Sequence, residues 1–299
     1  MADGPAATAP LRGHCLCGVV RYVSSGPPRG MWYCHCRCCA KTSGAGFGTW
    51  VAVPDVVWES GERQRARFVA AAGFVRSFCH TCGSQLPSER RNGGEAMFPA
   101  GGLDSVDDLQ PGYHAFASQR AAWLPACHAL AGNSDARNEP AQSCRAESAS
   151  PCEADLPVSG SCFCGTVAFT ALSLYAMRVC HCSRCRRRSG SSCFVGLTCR
   201  TSGLTTARGE PAVRSWRLPG SVRYVVRFCA VCGCPVPSIV RDIAFVPAGS
   251  LDSDPGVRAR CHVYFDSRAS WTRIADHLPR FGQMPPPDFD WHAGRPRPV

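Results

Sequence analysis

Residues 15–18 read Cys-Leu-Cys-Gly and residues 79–83 read Cys-His-Thr-Cys-Gly, and both motifs return at 162–165 and 229–233. Cysteine pairs followed directly by glycine are typical of zinc knuckles, because glycine reaches the positive φ values of the turn. Two knuckles supply four thiolates, the closed tetrahedral set of a structural zinc site. The sequence therefore predicts one such site in each half, with these ligands: Cys15, Cys17, Cys79, Cys82, Cys162, Cys164, Cys229 and Cys232.

A third motif lies between the knuckles of each half. Residues 34–39 read Cys-His-Cys-Arg-Cys-Cys, and residues 180–185 read Cys-His-Cys-Ser-Arg-Cys. The shared pattern supplies three thiolates without an obvious fourth, and three protein ligands with an open position is the arrangement of catalytic zinc. An exogenous thiol can occupy that position, since zinc ionises it. We therefore predict open zinc sites, and up to two zinc ions per half, at Cys34, Cys36, Cys39, Cys180, Cys182 and Cys185.

Four side chains next to the open sites are candidates for supporting roles. We expect His35 and His181 to be structural or to lie behind the ligands, because an extended segment points them away from the neighbouring thiols. Lys41 and Arg187 follow the triplets at matching positions. Each is a candidate contact for a substrate carboxylate, and the alternative is that each offsets the negative charge of a zinc trithiolate.

The remaining cysteines have no partner in the other half. Cys38 corresponds to Arg184, and we interpret it as a spare, oxidisable thiol. Disulfides are the alternative to metal binding, but closely spaced thiols in a cytoplasmic protein favour metal ligands. We predict that five other cysteines are small, buried, apolar side chains. These are Cys127, Cys193, Cys199, Cys234 and Cys261.

The duplication extends beyond the cysteines. Residues 99–104, Pro-Ala-Gly-Gly-Leu-Asp, recur as Pro-Ala-Gly-Ser-Leu-Asp at 247–252. His114 precedes Trp123 as His262 precedes Trp271; we expect packing roles for both histidines, with the tryptophans as core anchors. The repeat predicts a first domain over 11–131 and a second over 158–287. Between them, 132–157 has the composition of a linker, with incidental cysteines at 144 and 152, and 288–299 is predicted to be an irregular tail.

Short alternating apolar segments set the fold class. Residues 18–23, 48–53, 75–78, 165–170 and 222–228 read as strands, whereas helical periodicity is confined to a short turn after Cys39 or Cys185. We predict a mainly β protein of two tandem domains, each stapled by metal rather than held by a large core.

The amino-acid composition limits the classes of binding partner. The 299 residues carry a formal net charge of +11, almost entirely from arginine, but contain no block of five like charges. This pattern gives little support to nucleic-acid binding and leaves a small anionic thiol as the favoured partner. No apolar run approaches the roughly 18 residues of a membrane span, and the first residues lack an apolar signal core, so we expect a cytoplasmic protein without membrane contact.

These motifs resemble those of the glutathione-dependent formaldehyde-activating enzyme family, which shares its domain with centromere protein V. In the first half the resemblance covers 13–18, 34–44, 78–83 and 114–123; in the second it covers 160–165, 180–190, 228–233 and 262–271. Residues 278–287 also resemble the family's usual ending. The typical member of that family has one domain, whereas this chain has two.

The resemblance implies a β-tent fold, a structural zinc on the two knuckles and a catalytic zinc on the triplet. It also implies that formaldehyde is joined to glutathione to give S-(hydroxymethyl)glutathione, the reverse of a carbon–sulfur lyase step. We expect a zinc-dependent carbon–sulfur lyase or synthase acting on glutathione or a similar thiol adduct. The alternative is a zinc-stabilised module that binds nucleic acid or protein without catalysis.

Overall fold

The computed structural model describes residues 9–70, 74–91, 93–106, 109–124, 130 and 157–291. Within these ranges the chain is mainly β, with 21 strands and two α-helices, which confirms the predicted fold class. The predicted linker, apart from residue 157, lies outside the described residues, as do Cys127, Cys144 and Cys152. No helix in the described part of the chain is both long and apolar enough to cross a membrane.

The first half contains two antiparallel sheets, with one parallel pair at an edge. Its strands are β1 (Arg12–His14), β2 (Arg21–Ser24), β3 (Gly30–Cys34), β4 (Gly48–Val53), β5 (Val56–Ser60), β6 (Arg65–Val69), β7 (Phe74–Cys79), β8 (Gln85–Arg90), β9 (Ala96–Pro99) and β10 (His114–Ala115). The sheet orders are β1-β2-β5 and β10-β3-β4-β9-β8-β7-β6, with β10 parallel to β3. Every residue of β4 is buried, as a strand covered on both faces requires.

The second half repeats this plan in three sheets, because the counterpart of the seven-stranded sheet is divided in two. Its strands are β11 (Val158–Ser161), β12 (Ala168–Ala171), β13 (Tyr175–Cys180), β14 (Phe194–Arg200), β15 (Leu204–Arg208), β16 (Val213–Arg217), β17 (Val225–Cys229), β18 (Pro235–Val236), β19 (Ser238–Val240), β20 (Ile243–Pro247) and β21 (Cys261–Val263). Their orders are β11-β12-β15, β19-β20-β14-β13-β21 and β16-β17-β18. As predicted, Trp123 and Trp271 are buried, and both belong to one apolar cluster that extends through both halves.

The two helices begin at the triplets rather than after them. α1 (Arg37–Ser43) has Cys36 as its N-cap, and α2 (Ser183–Ser189) has Cys182 in the same place. In each case the N-cap sulfur accepts the backbone N–H of the third triplet cysteine at 3.4 Å. Sequence reasoning placed the turn beyond the third cysteine, because a cysteine side chain is not an ordinary cap. Each helix ends at a glycine with φ near 70°.

The halves pack through a reciprocal contact built on the repeated Pro-Ala-Gly segments. The Gly249 N–H donates to the Gly44 carbonyl at the end of α1, and the Gly101 N–H donates to the Gly190 carbonyl at the end of α2. A Cβ at position 249 would lie 2.2 Å from the Ala40 carbonyl oxygen, and one at 101 would lie 2.4 Å from that of Arg186. The approach of helix backbone to loop backbone therefore requires glycine at both places.

A cation from each helix completes this contact. The Lys41 ammonium donates to the carbonyls of Ser161 and Ser250 at 2.8 and 3.0 Å and lies 2.5 Å from the Asp252 carboxylate. In the mirror position, Arg187 donates to the carbonyls of His14 and Gly102 and to the Asp104 carboxylate. Each half thus supplies a cation that the other half's loop binds.

Candidate metal centre

The four knuckle cysteines of the first half converge. The sulfurs of Cys15, Cys17, Cys79 and Cys82 all lie within 4.8 Å of one another. The Cys15–Cys17 and Cys17–Cys79 sulfur separations are 3.3 and 3.7 Å. Zinc–sulfur bonds of about 2.3 Å in a tetrahedron place sulfurs about 3.8 Å apart, so the cluster has the size that zinc requires. Gly18 and Gly83 have φ of 77° and 68°, the positive values that a knuckle turn needs.

The second half forms the same cluster. Cys162, Cys164, Cys229 and Cys232 converge within the same limit, and Cys164–Cys229 measures 3.8 Å. Backbone N–H groups donate to the first sulfur of each cluster, from Val20 to Cys15 and from Val167 to Cys162. Such donors stabilise thiolates and fix their direction.

One cysteine outside the ligand sets supports the second cluster. The Cys234 sulfur accepts the Phe163 N–H at 3.3 Å, and in the first half the Ser84 hydroxyl accepts the Leu16 N–H at 2.9 Å. Cys234 therefore takes the role of Ser84, holding the knuckle backbone. Cys193, Cys199 and Cys261 are buried among apolar side chains, and no disulfide joins any two cysteines in the described ranges.

The triplets also come together. The sulfurs of Cys34, Cys36 and Cys39, and those of Cys180, Cys182 and Cys185, lie within 4.8 Å of one another in their respective halves. Neither cluster includes a fourth His, Cys, Asp or Glu among the described residues, and Cys38 is not a member. Each half thus holds one four-sulfur and one three-sulfur cluster, and each is a soft donor set that suits zinc.

The first triplet receives two N–H donors at its third cysteine. Arg76 on β7 donates from Nη2 to the Cys39 sulfur at 3.2 Å, and the Trp50 indole donates to the same sulfur at 3.3 Å. The Arg76 guanidinium lies 4.6 Å from the centre of the Trp50 ring. Hydrogen bonds from Cys34 and Cys36, supported by the charge of Arg76, hold the pKa of Cys39 well below its ordinary value.

The second triplet lacks these donors. Val226 stands at the position of Arg76, and Gly196 at the position of Trp50. The aromatic ring on β14 is instead Phe194, at the position where the first half has Gly48. The Cys185 sulfur instead receives the Tyr224 hydroxyl at 4.0 Å. Here hydrogen bonds from Cys180 and Cys185 lower the pKa of Cys182 to about 3.

The histidines lie behind the triplets in matching pairs. His35 Nε2 lies 2.8 Å from His114 Nδ1, and His181 Nε2 lies 2.8 Å from His262 Nδ1. Burial, then the neighbouring histidine, lowers the pKa of His35 to about 4 and that of His181 to about 3. His35 and His181 are therefore neutral at pH 7, and each pair holds the backbone between two triplet thiols.

An acceptor that the motifs did not indicate fixes the second pair. The two Asp276 oxygens lie 3.0 and 3.1 Å from His262 Nε2. A carboxylate there places the His262 proton on Nε2, so that Nδ1 accepts from His181. The aromatic side chains of Phe281, Phe289 and Trp291 pack against the apolar cluster around Cys180 in the same half.

The two cations named from the sequence are engaged elsewhere. Lys41 is only 2% exposed, and the other half supplies all of its described hydrogen-bond partners, as it does for Arg187. The cation that does contact a triplet sulfur is Arg76, which the motif analysis missed. The available signal was strand alternation, since Arg76 falls on the same face of β7 as the buried Phe78.

The fold and the sites define a mainly β protein of two tandem halves, each with cysteine clusters that could hold metal ions. Residues 10–119 and 157–267 both match the family described as glutathione-dependent formaldehyde-activating enzyme. The chain belongs to that family, in two copies. The family and the cysteine clusters together fit zinc binding and a glutathione-related function.

Two further comparisons add little. No curated protein sequence matches the chain. A crystal structure of a Rhodobacter sphaeroides protein is similar at 26% identity, covering 31% of this chain and 86% of that one, with a TM-score of 0.27.

Proposed function

We propose that this protein is a zinc-dependent carbon–sulfur lyase or synthase that acts on glutathione or a similar thiol adduct at its triplet sites. The observation that carries the proposal is the contrast between clusters. Within one chain, four sulfurs converge at each knuckle pair and only three at each triplet. A set of three leaves one coordination position for a ligand from solution.

The residues present fit this role. Cys34, Cys36 and Cys39 would hold one ion, and Cys180, Cys182 and Cys185 its counterpart. Zinc held there supplies a Lewis acid that ionises a thiol in the open position. For formaldehyde and glutathione, sulfur bonds to the carbonyl carbon, the π electron pair moves to the carbonyl oxygen, and that oxygen takes the proton that the thiol gives up. Fixing both reactants in place supplies the remaining rate advantage.

The chain's own groups hold the triplets in shape. The His35 backbone N–H donates to the Ala115 carbonyl at 3.0 Å, and the His181 N–H donates to that of Val263 at 3.0 Å. Together with the histidine pairs, these bonds tie the peptide between two thiols to the parallel edge strands β10 and β21. Ligands held this firmly keep their spacing when a substrate arrives.

Loss of the triplet thiols tests the proposal. We expect the double variant Cys36→Ser, Cys182→Ser to form the hydroxymethyl adduct no faster than buffer, because each triplet then keeps only two thiolates. Exchange between formaldehyde and its glutathione adduct can be measured by NMR, with zinc counted by native mass spectrometry. Cys234→Ser is the matched control, since Ser84 occupies this position in the first half. If the double variant stays folded and keeps the full catalysed rate with glutathione and other thiols, the proposal is wrong.

A further inference from the structure

We infer that the two triplet sites are unequal, and that the first is the principal site for an anionic thiol because Arg76 hydrogen-bonds one of its sulfurs. This inference rests on the proposed open position of the triplets and adds which half binds the thiol and through which residue. Arg76 acts on the site in two ways, through its hydrogen bond to Cys39 and through the donors that this bond leaves unused.

The first observation is an arginine with unused donors. Arg76 is 7% exposed and spends one nitrogen, Nη2, on the Cys39 sulfur. Its Nε and Nη1 are buried and have no hydrogen-bond partner among the described residues, although the Cys38 thiol lies close enough to interact with the guanidinium. Buried guanidinium donors are normally satisfied. An anionic oxygen carried by the ligand would satisfy them.

The second observation concerns charge. Three thiolates around a divalent zinc leave a net charge of −1, and a fourth thiolate would make it −2. In the first half the guanidinium on Cys39 returns the total to −1 after the fourth thiolate binds. In the second half the buried guanidiniums of Arg178 and Arg188 interact electrostatically with Cys185, but no guanidinium of the described residues donates to a triplet sulfur, and Arg178 bonds to the Ala176 carbonyl. Accumulated charge in a buried site opposes a further anion, and a cation hydrogen-bonded to a ligand sulfur offsets that charge most directly.

The third observation is an exchange of residues along one strand. The first half has glycine at 48 and tryptophan at 50, whereas the second has phenylalanine at 194 and glycine at 196. A Cβ at Gly48 would lie 2.6 Å from the Trp50 Nε1, so the glycine is what gives the indole its place. Both halves therefore set an aromatic ring on this face, but only the first brings an N–H to the sulfur. The donors of the first site thus differ from those of the second at two independent positions.

Hydrogen bonds to a thiolate draw electron density away from the metal it binds, which strengthens the metal's hold on a further thiolate. The ligand class that follows is a thiol with a carboxylate near its sulfur. Its thiolate would complete the first triplet, and its carboxylate would meet the free Arg76 donors.

The experiment uses the full chain loaded with cobalt(II), whose thiolate charge-transfer absorption reports ligands directly. The titrants are 3-mercaptopropionate and the neutral 3-mercapto-1-propanol, which have the same length. We expect a strong and a weak binding event for the carboxylate thiol. Cys36→Ser should remove the strong event, and Cys182→Ser the weak one.

Arg76→Met should weaken the strong event by about tenfold or more, move the charge-transfer band to lower energy and abolish the preference for the carboxylate thiol. Arg76→Lys should recover part of each change. Arg67→Met, an exposed position on the neighbouring strand β6, is the control and should change none of them.

The outcomes separate the two proposals. Absence of thiol binding at both sites would overturn the proposed function itself. Equal binding at the two sites, or a strong event that survives Cys36→Ser, would overturn the inference and leave the proposed function standing. Unchanged affinity and band position in Arg76→Met would also overturn it. If Arg76→Met does not fold, Arg76→Lys is used instead. Smaller changes of affinity and band position in the same direction would support the inference, and unchanged values would overturn it.

Discussion

The Cys82→Ser variant is expected to lose its knuckle zinc and the fold of the first half. Cys82 is fully buried, and a serine hydroxyl is a poor zinc ligand, so only three thiolates would remain in a site that needs four. Structural zinc contributes about 10–16 kcal/mol in small domains, as large as the entire stability of an ordinary fold. Cys232→Ser should have the same effect in the second half.

Native mass spectrometry and thermal circular dichroism measure this result. We expect one zinc fewer per chain and either insoluble protein or a lost first transition. Cys234→Ser is the matched control: it makes the same chemical change next to the second cluster, at a position where the first half already has serine. A Cys82→Ser protein that keeps its zinc count and melts like the unaltered chain would show that the cluster is not a structural metal site.

The second large effect is expected at Lys41. Lys41→Met removes a buried ammonium and leaves the Ser161 and Ser250 carbonyls and part of the Asp252 carboxylate without their donor. Breaking a buried pair by removing one partner costs about 3–5 kcal/mol. For a protein of this size that lowers the melting temperature by about 10 °C.

Arg37 offers a control on the same carboxylate. Its guanidinium lies 2.9 Å from Asp252, but its side chain is 41% exposed. An exposed pair contributes about 0–1 kcal/mol, so Arg37→Met should shift the melting temperature little. Chemical denaturation of both variants provides the comparison. Equal losses of unfolding free energy in the two variants, or an unchanged stability of Lys41→Met, would contradict a buried role for the ammonium.

The contact around Lys41 also shows where sequence reasoning ends. Matching positions in the two copies correctly singled out Lys41 and Arg187 as an equivalent pair. Proximity along the chain then suggested a role at the triplet, whereas the helix that begins at Cys36 turns this side chain toward the other half. A contact between distant segments carries no local pattern, so the acceptors at Ser250 and Asp252 had no signal in the sequence.

The cysteine clusters were predictable for the opposite reason. Metal-ligand spacing is local, and duplication shows which cysteines belong to it. Cys234 and Cys38 have no cysteine at the matching position of the other copy, so the repeat excluded them from the ligand sets. Neither belongs to a cysteine cluster among the described residues. Arg76 and Trp50 lie outside any motif, and their convergence on Cys39 depends on how β7 and β4 pack.

Each Pro-Ala-Gly loop packs against the helix of the other half, so the two halves meet as two copies of one subunit would. A patch that binds its own copy is the isologous interface of a two-fold homodimer. Joining two such copies in one chain replaces a concentration-dependent association with an intramolecular one. In a true homodimer every substitution occurs in both subunits. In the fused chain each half can change independently. The two halves have done so: the first has Arg76 and Trp50, and the second has Tyr224 and Phe194.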